Sequence, residues 1–331
     1  MVQEELTRGT IFDIQGFSVH DGPGCRTLIF FKGCSLECPW CSNPEGISPY
    51  PEPLWRRSKC TFDRLCLDAC PHNAITIALD EDGDRLLFDR QFCSECKTRE
   101  CAGACLSGAL SIGGYQATAG EVFAKITRDR SYWGAGGGIT LTGGEPFMQP
   151  EFALELLKRC YEAYIHTAVE TCGNVPWKNY ERSLPYIDWI FFDLKNMDEP
   201  RATQLIHHLV HPSTRPPVHS SARPLVPSIL NNARRLADAF PGRLIWRIPV
   251  VPGFNDDPEN IEKTAQFIRS TGRTEINLLP LHHLGREKYS LTGRQYGSGN
   301  IGIPSGKNLE EIASHFGSFG IKCYIGSDTP F

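Results

Sequence analysis

Three cysteines with unusually close spacing lie near the start of the chain. Cys34, Cys38 and Cys41 occur in the segment FKGCSLECPWCSNPE as C-x3-C-x2-C. Three thiolates on one short loop can hold three of the four irons of a cubane 4Fe-4S cluster, which leaves the fourth iron open to a small molecule. A structural zinc loop is the alternative, but it needs four ligands and usually shows them as two C-x2-4-C pairs. This segment alone does not decide between the two.

A second cysteine-rich block lies between Pro51 and Gly114. Its first part has the pattern C-x2-D-x2-C-x3-C-P, which matches the ferredoxin run C-x2-C-x2-C-x3-C-P with an aspartate at the second position. Its second part has four cysteines as C-x2-C-x4-C-x3-C. The two parts resemble the lobes of a ferredoxin with two clusters. The residues concerned are Cys60, Asp63, Cys66 and Cys70 in the first part and Cys93, Cys96, Cys101 and Cys105 in the second.

In such ferredoxins the last cysteine of each run ligates the other cluster. One predicted cluster is therefore held by Cys60, Cys66 and Cys105 with Asp63, and the other by the remaining four, Cys70, Cys93, Cys96 and Cys101. A carboxylate suits iron-sulfur chemistry less well than a thiolate, so the Asp63 cluster would be labile or would contain three irons. Asp63 as a solvated turn residue is the alternative, and both stay open.

Composition limits the class of protein. The chain has 331 residues, a hydrophobic fraction of 40% and 14 cysteines. The cysteines cluster and no secretory signal is visible, so they predict metal sites and not disulfides. A net charge of -4 argues against a nucleic-acid surface, and no apolar stretch is long enough to span a membrane. We expect a cytoplasmic enzyme whose partner is a small molecule or a protein.

The rest of the chain alternates β-branched runs with helical patterns, which favours parallel strands joined by helices. This indicates an α/β fold, an open (β/α)6 barrel formed by residues 1–50 and 115–331 with a ferredoxin-like insert at 51–114. The predicted strands are 28–32, 139–142, 166–170, 189–193, 244–250 and 275–279, and the predicted helices are 119–129, 151–164, 229–240 and 258–270. Chemistry in such barrels lies at the carboxyl ends of the strands.

Two polar motifs follow predicted strands. Gly143, Gly144 and Glu145 in TLTGGEPF allow close backbone approach and offer a carboxylate, so they are placed to bind the ammonium of a methionine-like group. A tight turn is the simpler explanation. Asp193 and Lys195 in FFDLKN point to one side of an extended chain and offer an acceptor and a cation. An exposed charge pair is the alternative there.

Taken together, these motifs resemble the glycyl radical enzyme activating enzymes of the radical S-adenosylmethionine superfamily, in the subgroup with a ferredoxin insert. The resemblance covers nearly the whole chain, and its motifs occur in the family's order. Besides the cysteine loop they are FSVHDGPGCRT (17–27), GGGITLTGGEP (136–146), ETCG (170–173), DLK (193–195), RIPVVPGFND (247–256) and LLPLHHLGREKY (278–289).

The resemblance implies a cofactor site. It places Cys34, Cys38 and Cys41 on the catalytic 4Fe-4S cluster and further residues against S-adenosylmethionine. His282 takes the family's histidine position, so His283 is expected to be structural. The implied cofactor-binding residues are Trp40, Cys41 and Ser42 at the adenine, Gly144 at the methionyl amine, Asp193, Leu194 and Lys195 at the ribose and carboxylate, and His282 near the ribose.

The resemblance also implies an activity. The reduced cluster cleaves S-adenosylmethionine to a 5'-deoxyadenosyl radical, which takes a hydrogen atom from a glycine of a partner enzyme. The wording SVHDGPGCRT favours benzylsuccinate synthase of anaerobic toluene degradation as partner, then 4-hydroxyphenylacetate decarboxylase, then choline or glycerol lyases. A flavodoxin or ferredoxin is the expected electron donor, and up to two auxiliary 4Fe-4S clusters would relay electrons or shape the docking face.

Some features stand apart from this interpretation. Residues 199–228 lack helical or strand periodicity, which predicts a loop, and a lineage-specific loop, a partner-docking loop and compensating reading-frame errors all stay open. Four isolated cysteines are left out of the site: Cys25, Cys160, Cys172 and Cys323. The alternatives from other classes are an iron-sulfur electron-transfer protein, which leaves the barrel motifs unexplained, and a zinc-stabilised binding module.

Overall fold

The computed structural model describes residues 7–80, 83–207 and 224–327. These residues contain thirteen strands, numbered in chain order: β1 (Arg8–Ser18), β2 (Arg26–Phe31), β3 (Glu52–Trp55), β4 (Ile75–Asp80), β5 (Gly83–Phe88), β6 (Leu110–Gly113), β7 (Tyr115–Thr118), β8 (Gly138–Gly143), β9 (His166–Thr171), β10 (Trp189–Asp193), β11 (Arg243–Val250), β12 (Glu275–Pro280) and β13 (Lys322–Ile325).

Eleven α-helices connect or flank the strands of the described ranges. They are α1 (Leu65–Asp68), α2 (Arg90–Glu95), α3 (Glu100–Gly103), α4 (Ala119–Ile126), α5 (Pro150–Glu162), α6 (Lys178–Glu181), α7 (Glu199–His207), α8 (Leu225–Ala239), α9 (Pro258–Ser270), α10 (Arg286–Leu291) and α11 (Gly306–Ser318). Within the same ranges, no helix combines the length and the apolar character that crossing a membrane requires.

A single nine-stranded sheet forms the main body, in the order β13-β12-β11-β10-β9-β8-β2-β1-β7. The seven strands from β13 to β2 run parallel, whereas β1 and β7 are antiparallel additions at one edge. The predicted open α/β architecture is confirmed, and all six predicted strands are present. Strand β13 and the edge pair were not predicted.

Burial on both faces explains why the inner strands are continuous apolar runs. All six residues of β2 are buried, and β8 is buried except for its last glycine. Helices cover the outer face, so these strands show no polar alternation. The core side chains include Phe31, Leu141, Val169, Phe192 and Trp246.

The predicted helices are present, and local signals explain their starts. Helix α9 has the predicted bounds and begins at the capping residue Asp257, whose carboxylate accepts from the Asn260 amide. Helix α4 begins with a capping box formed by Thr118 and Glu121. Helix α5 starts at Pro150, one residue before its predicted first residue, because proline suits the first helical position, and α8 starts at Leu225, before its predicted start at Ile229.

The prediction of a loop over residues 199–228 is wrong at both ends of that stretch. Residues Glu199–His207 form α7, and α8 begins at Leu225 and packs against it. The Glu199 carboxylate accepts hydrogen bonds from the amides of Leu225 (2.7 Å) and Val226 (2.5 Å). His208, His211 and His219 lie outside the described residues.

Two small sheets and three short helices form the insert. Strands β3 and β6 pair as an antiparallel ribbon, and β4 and β5 form a hairpin. A separate small core contains Trp55, Ile75, Leu86 and Leu110 together with five cysteines of the block, Cys60, Cys66, Cys70, Cys101 and Cys105. All of these strands fall within the predicted insert, 51–114, and the division of the chain at 50 and 114 is retained as a proposal.

Candidate functional site

The loop that follows β2 carries Cys34, Cys38 and Cys41 at the carboxyl edge of the sheet. The loop is closed by backbone bonds from Cys34 to the Ile47 carbonyl (3.1 Å) and from Cys41 to the Cys38 carbonyl (3.0 Å). Two backbone amides point at sulfur: Leu36 donates to the Sγ of Cys34 (3.5 Å) and Asn43 to that of Cys41 (3.4 Å). A thiolate bound to an iron-sulfur cluster accepts hydrogen bonds from backbone amides of this kind.

The three thiols on this loop are the donor type that holds the irons of a 4Fe-4S cluster. Burial raises the pKa of the Cys38 thiol to about 12, and the Lys195 ammonium acts against that rise.

Lys195 brings a buried positive charge to this loop. Its ammonium pairs with the Asp193 carboxylate at 2.6 Å, and its side chain is 9% exposed. Burial lowers the pKa of Lys195, but Asp193 and the nearby Cys38 and Cys172 thiols outweigh it and raise that pKa overall. Asp193 and Lys195 are therefore not an exposed charge pair, which was the alternative interpretation of the sequence. Leu194 between them is buried, and its amide donates to the Arg247 carbonyl at 2.7 Å.

Gly143, the last residue of β8, packs on β2, and Gly144 packs on the cysteine loop. Gly143 has a φ of +103°, and a Cβ there would lie 2.6 Å from the Phe31 amide nitrogen. The Gly144 amide donates to the Phe31 carbonyl at 2.8 Å. The loop residues Gly33 and Gly46 lie against Gly144. Close backbone packing thus accounts for both glycines, whether or not Gly144 also contacts a ligand.

The predicted role of the Glu145 side chain is wrong. Its carboxylate is fully buried and accepts hydrogen bonds from Thr171 Oγ1 (2.8 Å), the Cys172 amide (2.8 Å) and the Phe147 amide (3.1 Å). Burial and the Cys172 thiol raise the pKa of this carboxyl well above its ordinary value. Oε1 accepts from the turn after β8 and Oε2 accepts from the end of β9, so the two oxygens are not placed to bind an ammonium from a ligand.

The remaining predicted cofactor contacts differ in exposure. Ser42 and His282 are exposed, and Gly285 lies against the backbone of Ser42, so the segment after β12 covers the cysteine loop. The Trp40 ring is buried and packs on Phe254, with ring centroids 4.9 Å apart. Any adenine contact of Trp40 would therefore use its backbone.

His283 is held by protein groups, as expected for a structural residue. Its Nδ1 lies 2.7 Å from the Tyr296 hydroxyl and its Nε2 lies 3.0 Å from the Ile301 carbonyl oxygen. Tyr289, on the same segment, donates to the Cys38 and Pro39 carbonyls at 3.4 Å each. These contacts fix the segment on the cysteine loop.

Two features of the site were missed by sequence reasoning. Cys172 is buried beside the cysteine loop: a hydrogen bond with Cys34 and burial raise the pKa of its thiol. Its place in the ETCG motif at the end of β9 was the available signal. In β9, Glu170 pairs with Arg247 and accepts from Thr142 Oγ1 at 2.6 Å. Thr142, Glu170 and Arg247 also lie within the family motifs GGGITLTGGEP, ETCG and RIPVVPGFND.

The insert's cysteines form the two groups predicted by the crossed pairing. One pocket is lined by Cys60, Cys66, Cys105 and Asp63, and a second by Cys70, Cys93, Cys96 and Cys101. Backbone amides again point at sulfur, from Leu110 to Cys105 (3.3 Å) and from Ala74 to Cys70 (3.3 Å). We call these spaces the Asp63 pocket and the four-cysteine pocket.

Asp63 accepts hydrogen bonds within the turn before α1 as well as lining its pocket. Its carboxylate accepts from Thr61 Oγ1 at 2.9 Å and from the Leu65 amide at 3.1 Å, and the side chain is exposed. A turn role therefore accounts for the residue without iron. Ligation by Asp63, like that by the ten cysteines of the three groups, stays a prediction.

Comparison with known proteins identifies the family. Residues 91–268 match the Radical SAM superfamily and residues 53–76 match the 4Fe-4S binding domain. The chain is 38% identical to the indoleacetate decarboxylase activating enzyme of Tractidigestivibacter scatoligenes, covering 96% of this chain and 97% of that protein. It is 36% identical to the 4-hydroxyphenylacetate decarboxylase activating enzyme of Clostridioides difficile strain 630 over 100% of both chains.

A third relative activates a different enzyme. The isethionate sulfite-lyase activating enzyme of Oleidesulfovibrio alaskensis is 39% identical, with 90% of this chain and 92% of that protein covered. These relatives do not support benzylsuccinate synthase as partner, nor a role in toluene catabolism. A simple electron-transfer protein or a zinc module would not account for matches over the whole chain. The chain therefore belongs to the glycyl radical enzyme activating enzymes of the radical SAM superfamily, which use S-adenosylmethionine and a 4Fe-4S cluster and act on a glycyl radical enzyme.

Proposed function

We propose that this protein activates a glycyl radical enzyme that decarboxylates an arylacetate, of the 4-hydroxyphenylacetate or indoleacetate type. The observation that carries the proposal is the end-to-end match to activating enzymes of two such decarboxylases, which includes the insert. An activator of an isethionate lyase is the second candidate, because that relative has slightly higher identity over a shorter aligned region.

In this proposal Cys34, Cys38 and Cys41 hold the catalytic cluster at the edge of the sheet. When bound, the cluster and S-adenosylmethionine supply a 5'-deoxyadenosyl radical that takes a hydrogen atom from the partner's glycine. The chain's own part is positioning. Because Lys195 is buried beside Cys38, its ammonium stabilises the thiolate form that a metal ligand needs.

The cofactor would lie between the cysteine loop and the ends of β8, β10 and β12. Asp193 and Lys195 offer an acceptor and a cation at the end of β10. The exposed Ser42 and His282 lie on segments in contact with each other, which supports a shared role at the adenosine. The backbones of Trp40, Leu194 and Gly144 complete the proposed cofactor-binding set.

The insert is proposed to hold two auxiliary clusters and to receive electrons from a flavodoxin or ferredoxin. Support comes from the two cysteine-lined pockets and the amides that point at their sulfurs. The enzyme would act in an anaerobic cytoplasm, because clusters with an open or poorly ligated iron are sensitive to oxidation.

A partner panel tests the proposal. The iron-loaded protein, S-adenosylmethionine and a reductant are mixed anaerobically with one of four enzymes: 4-hydroxyphenylacetate decarboxylase, indoleacetate decarboxylase, isethionate sulfite-lyase or benzylsuccinate synthase. We expect a glycine-centred doublet in the electron paramagnetic resonance (EPR) spectrum of a decarboxylase, absent when its glycine is changed to alanine. A doublet restricted to isethionate sulfite-lyase or benzylsuccinate synthase would overturn the arylacetate assignment.

A further inference from the structure

One buried carboxylate lies where the insert meets the main sheet. Glu52 is the first residue of β3, and its side chain is 5% exposed. It contacts three cations: Lys32 at 3.4 Å, Arg294 at 3.1 and 3.2 Å, and Arg90. Burial acts to raise its pKa, but Arg294, Lys32 and Arg90 together lower the pKa of Glu52 below its ordinary value. The group is therefore ionised at neutral pH.

The three cations come from three different parts of the chain. Lys32 is fully buried just after β2, two residues before Cys34, and its ammonium also donates to the Glu45 carbonyl at 2.5 Å. Arg90 is the first residue of α2, the helix that carries Cys93, and it also donates to the Thr292 carbonyl. Arg294 follows α10, the helix that lies over the cysteine loop. We call these four side chains the Glu52 joint.

The ribbon of β3 and β6 gives the order of the insert's pockets relative to this joint. At one end of the ribbon Glu52 pairs with Gly113. The next pair, Pro53 and Ile112, lines the four-cysteine pocket. The last pair, Trp55 and Leu110, lines the Asp63 pocket. Successive residues advance about 3.3 Å along a strand. The four-cysteine pocket is thus next to the joint, and the Asp63 pocket is farther out.

Stability alone is a weak reason for such a joint. A buried ionic cluster loses much of its Coulomb gain to desolvation, and apolar side chains of similar size often pack as stably. Three cations around one carboxylate also leave the joint with an excess of positive charge, close in sequence to Cys34 through Lys32 and to Cys93 through Arg90. Fixed charge near an iron-sulfur cluster is one of the factors that set its reduction potential.

We propose that Glu52 is a positioning residue that fixes the insert on the cysteine loop and sets the electrostatic field between the catalytic cluster site and the four-cysteine pocket. The inference rests on the proposed cluster ligands and is independent of which enzyme is the partner. It differs from a purely structural role in one respect: changes of opposite charge within the joint must shift the potentials in opposite directions.

The test is a potentiometric titration of the iron-loaded full chain at neutral pH, followed by EPR. The catalytic cluster is distinguished by the change in its spectrum when S-adenosylmethionine is added. Glu52→Gln removes a negative charge and should move the midpoint potential of the catalytic or the four-cysteine cluster to a more positive value. Arg294→Gln removes a positive charge and should move the same potential to a more negative value.

A matched control removes a paired carboxylate elsewhere. Glu275 forms two bonds with Arg243, at 2.6 and 3.0 Å, at the amino ends of β11 and β12. Glu275→Gln should leave all potentials unchanged. Glu52→Gln leaves buried cations without their carboxylate, so this variant can fail to fold. In that case Arg90→Gln is a second variant that removes a positive charge, and it should shift the midpoint potential to a more negative value, as Arg294→Gln does.

The outcomes separate this proposal from the proposed function. The role of Glu52 would be overturned if removal of the negative charge and removal of a positive charge shifted the midpoint potential in the same direction. It would also be overturned if the variants had full iron and sulfide content and unshifted potentials. A wild-type protein that binds no catalytic cluster would instead overturn the proposed ligands. Neither result depends on finding the partner enzyme.

Discussion

A Cβ atom at Gly144 would lie 2.3 Å from the carbonyl oxygen of Gly33 and 2.7 Å from that of Gly46. Both neighbours are backbone atoms of the loop that carries the three cysteines. The amide of Glu145 also donates to the Gly33 carbonyl at 2.8 Å. The turn after β8 and the cysteine loop are therefore in direct backbone contact, and any added side-chain atom at Gly144 must move one of them.

We predict that Gly144→Ala displaces the cysteine loop. Forcing an atom into such a space costs roughly 1 to 3 kcal/mol of unfolding free energy, and the loop has to shift. Reductive cleavage of S-adenosylmethionine should fall sharply, while the cysteines of the insert keep their iron. Gly136→Ala is the control, since nothing lies within 4 Å of a Cβ there. Equal cleavage rates for the two variants would contradict the packing argument.

Cys38→Ala tests the catalytic cluster itself. Cys38 lies on the loop after β2, whereas the insert has its own core and its own cysteine groups. We expect the variant to release no 5'-deoxyadenosine under dithionite and to retain the iron of the insert, measured by iron and sulfide analysis. Continued release of 5'-deoxyadenosine would show that Cys38 is not a required ligand. Cys160→Ala, at a cysteine buried in α5, serves as the comparison.

The sequence predicted the parallel strands because each is a short apolar run buried on both faces. It did not predict β13, whose four residues, KCYI, mix exposed and buried positions at the sheet edge. It also missed α7, in which Ala202 and Ile206 are buried. Only a few apolar residues anchor that helix, and its partner α8 comes after a long intervening segment, so no local pattern could reveal the contact.

Cysteine spacing predicted the insert's two groups, because ligand runs of a ferredoxin fix which thiols meet. The side-chain roles at the sheet edge were harder to predict. Glu145 has the residue type of a ligand-binding carboxylate, yet its oxygens serve the Thr171 hydroxyl and two backbone amides. Cys172 has no partner in its own segment, and only the fold brings it to Cys34. Contacts between distant segments decided both cases.

Asp63 allows the iron-ligand and turn roles to be separated. Asp63→Asn retains an oxygen that can accept from the Leu65 amide, so a turn role survives, whereas an uncharged amide is a poor iron ligand. If Asp63 binds iron, Asp63→Cys should give a cluster that resists oxidative conversion to a three-iron form better than the wild type does. Asp63→Asn should lose that iron most readily. Indistinguishable EPR spectra after oxidation of all three proteins would leave Asp63 as a turn residue only.

Glu199 should stabilise the start of α8. Its carboxylate accepts from the Leu225 and Val226 amides, two of the donors that a helix leaves without internal partners. Glu199→Ala should lower the unfolding free energy by about 1 to 2 kcal/mol, seen as a lower Tm in thermal unfolding of the iron-loaded protein. Glu310→Ala, at an exposed position of α11, should change the Tm little. An unchanged Tm for Glu199→Ala would mean that the contact contributes nothing to stability in solution.

Lys195 offers a test of the cofactor site with a defined pH dependence. Asp193 and the neighbouring thiols raise its pKa above the ordinary value of 10.5 despite burial, so the ammonium stays charged from pH 6 to 9. A raised pKa in the folded state means that the charge's contribution to stability is present below pH 10.5 and is lost only as the pH rises through the higher folded value. Titration of Lys195 should therefore cause no change in cofactor binding between pH 6 and 9.

Lys195→Met retains most of the side-chain volume and removes the charge. Loss of a charged group beside a metal ligand typically costs about 10- to 100-fold in affinity or activity, and we expect S-adenosylmethionine binding to weaken by that order at every pH from 6 to 9. Lys263→Met, which breaks an exposed pair with Glu259 on α9, is the matched control and should bind the cofactor like the wild type. Equilibrium dialysis of the iron-loaded proteins gives the affinities. Wild-type affinity in Lys195→Met would remove Lys195 from the cofactor site and leave it as the structural partner of Asp193.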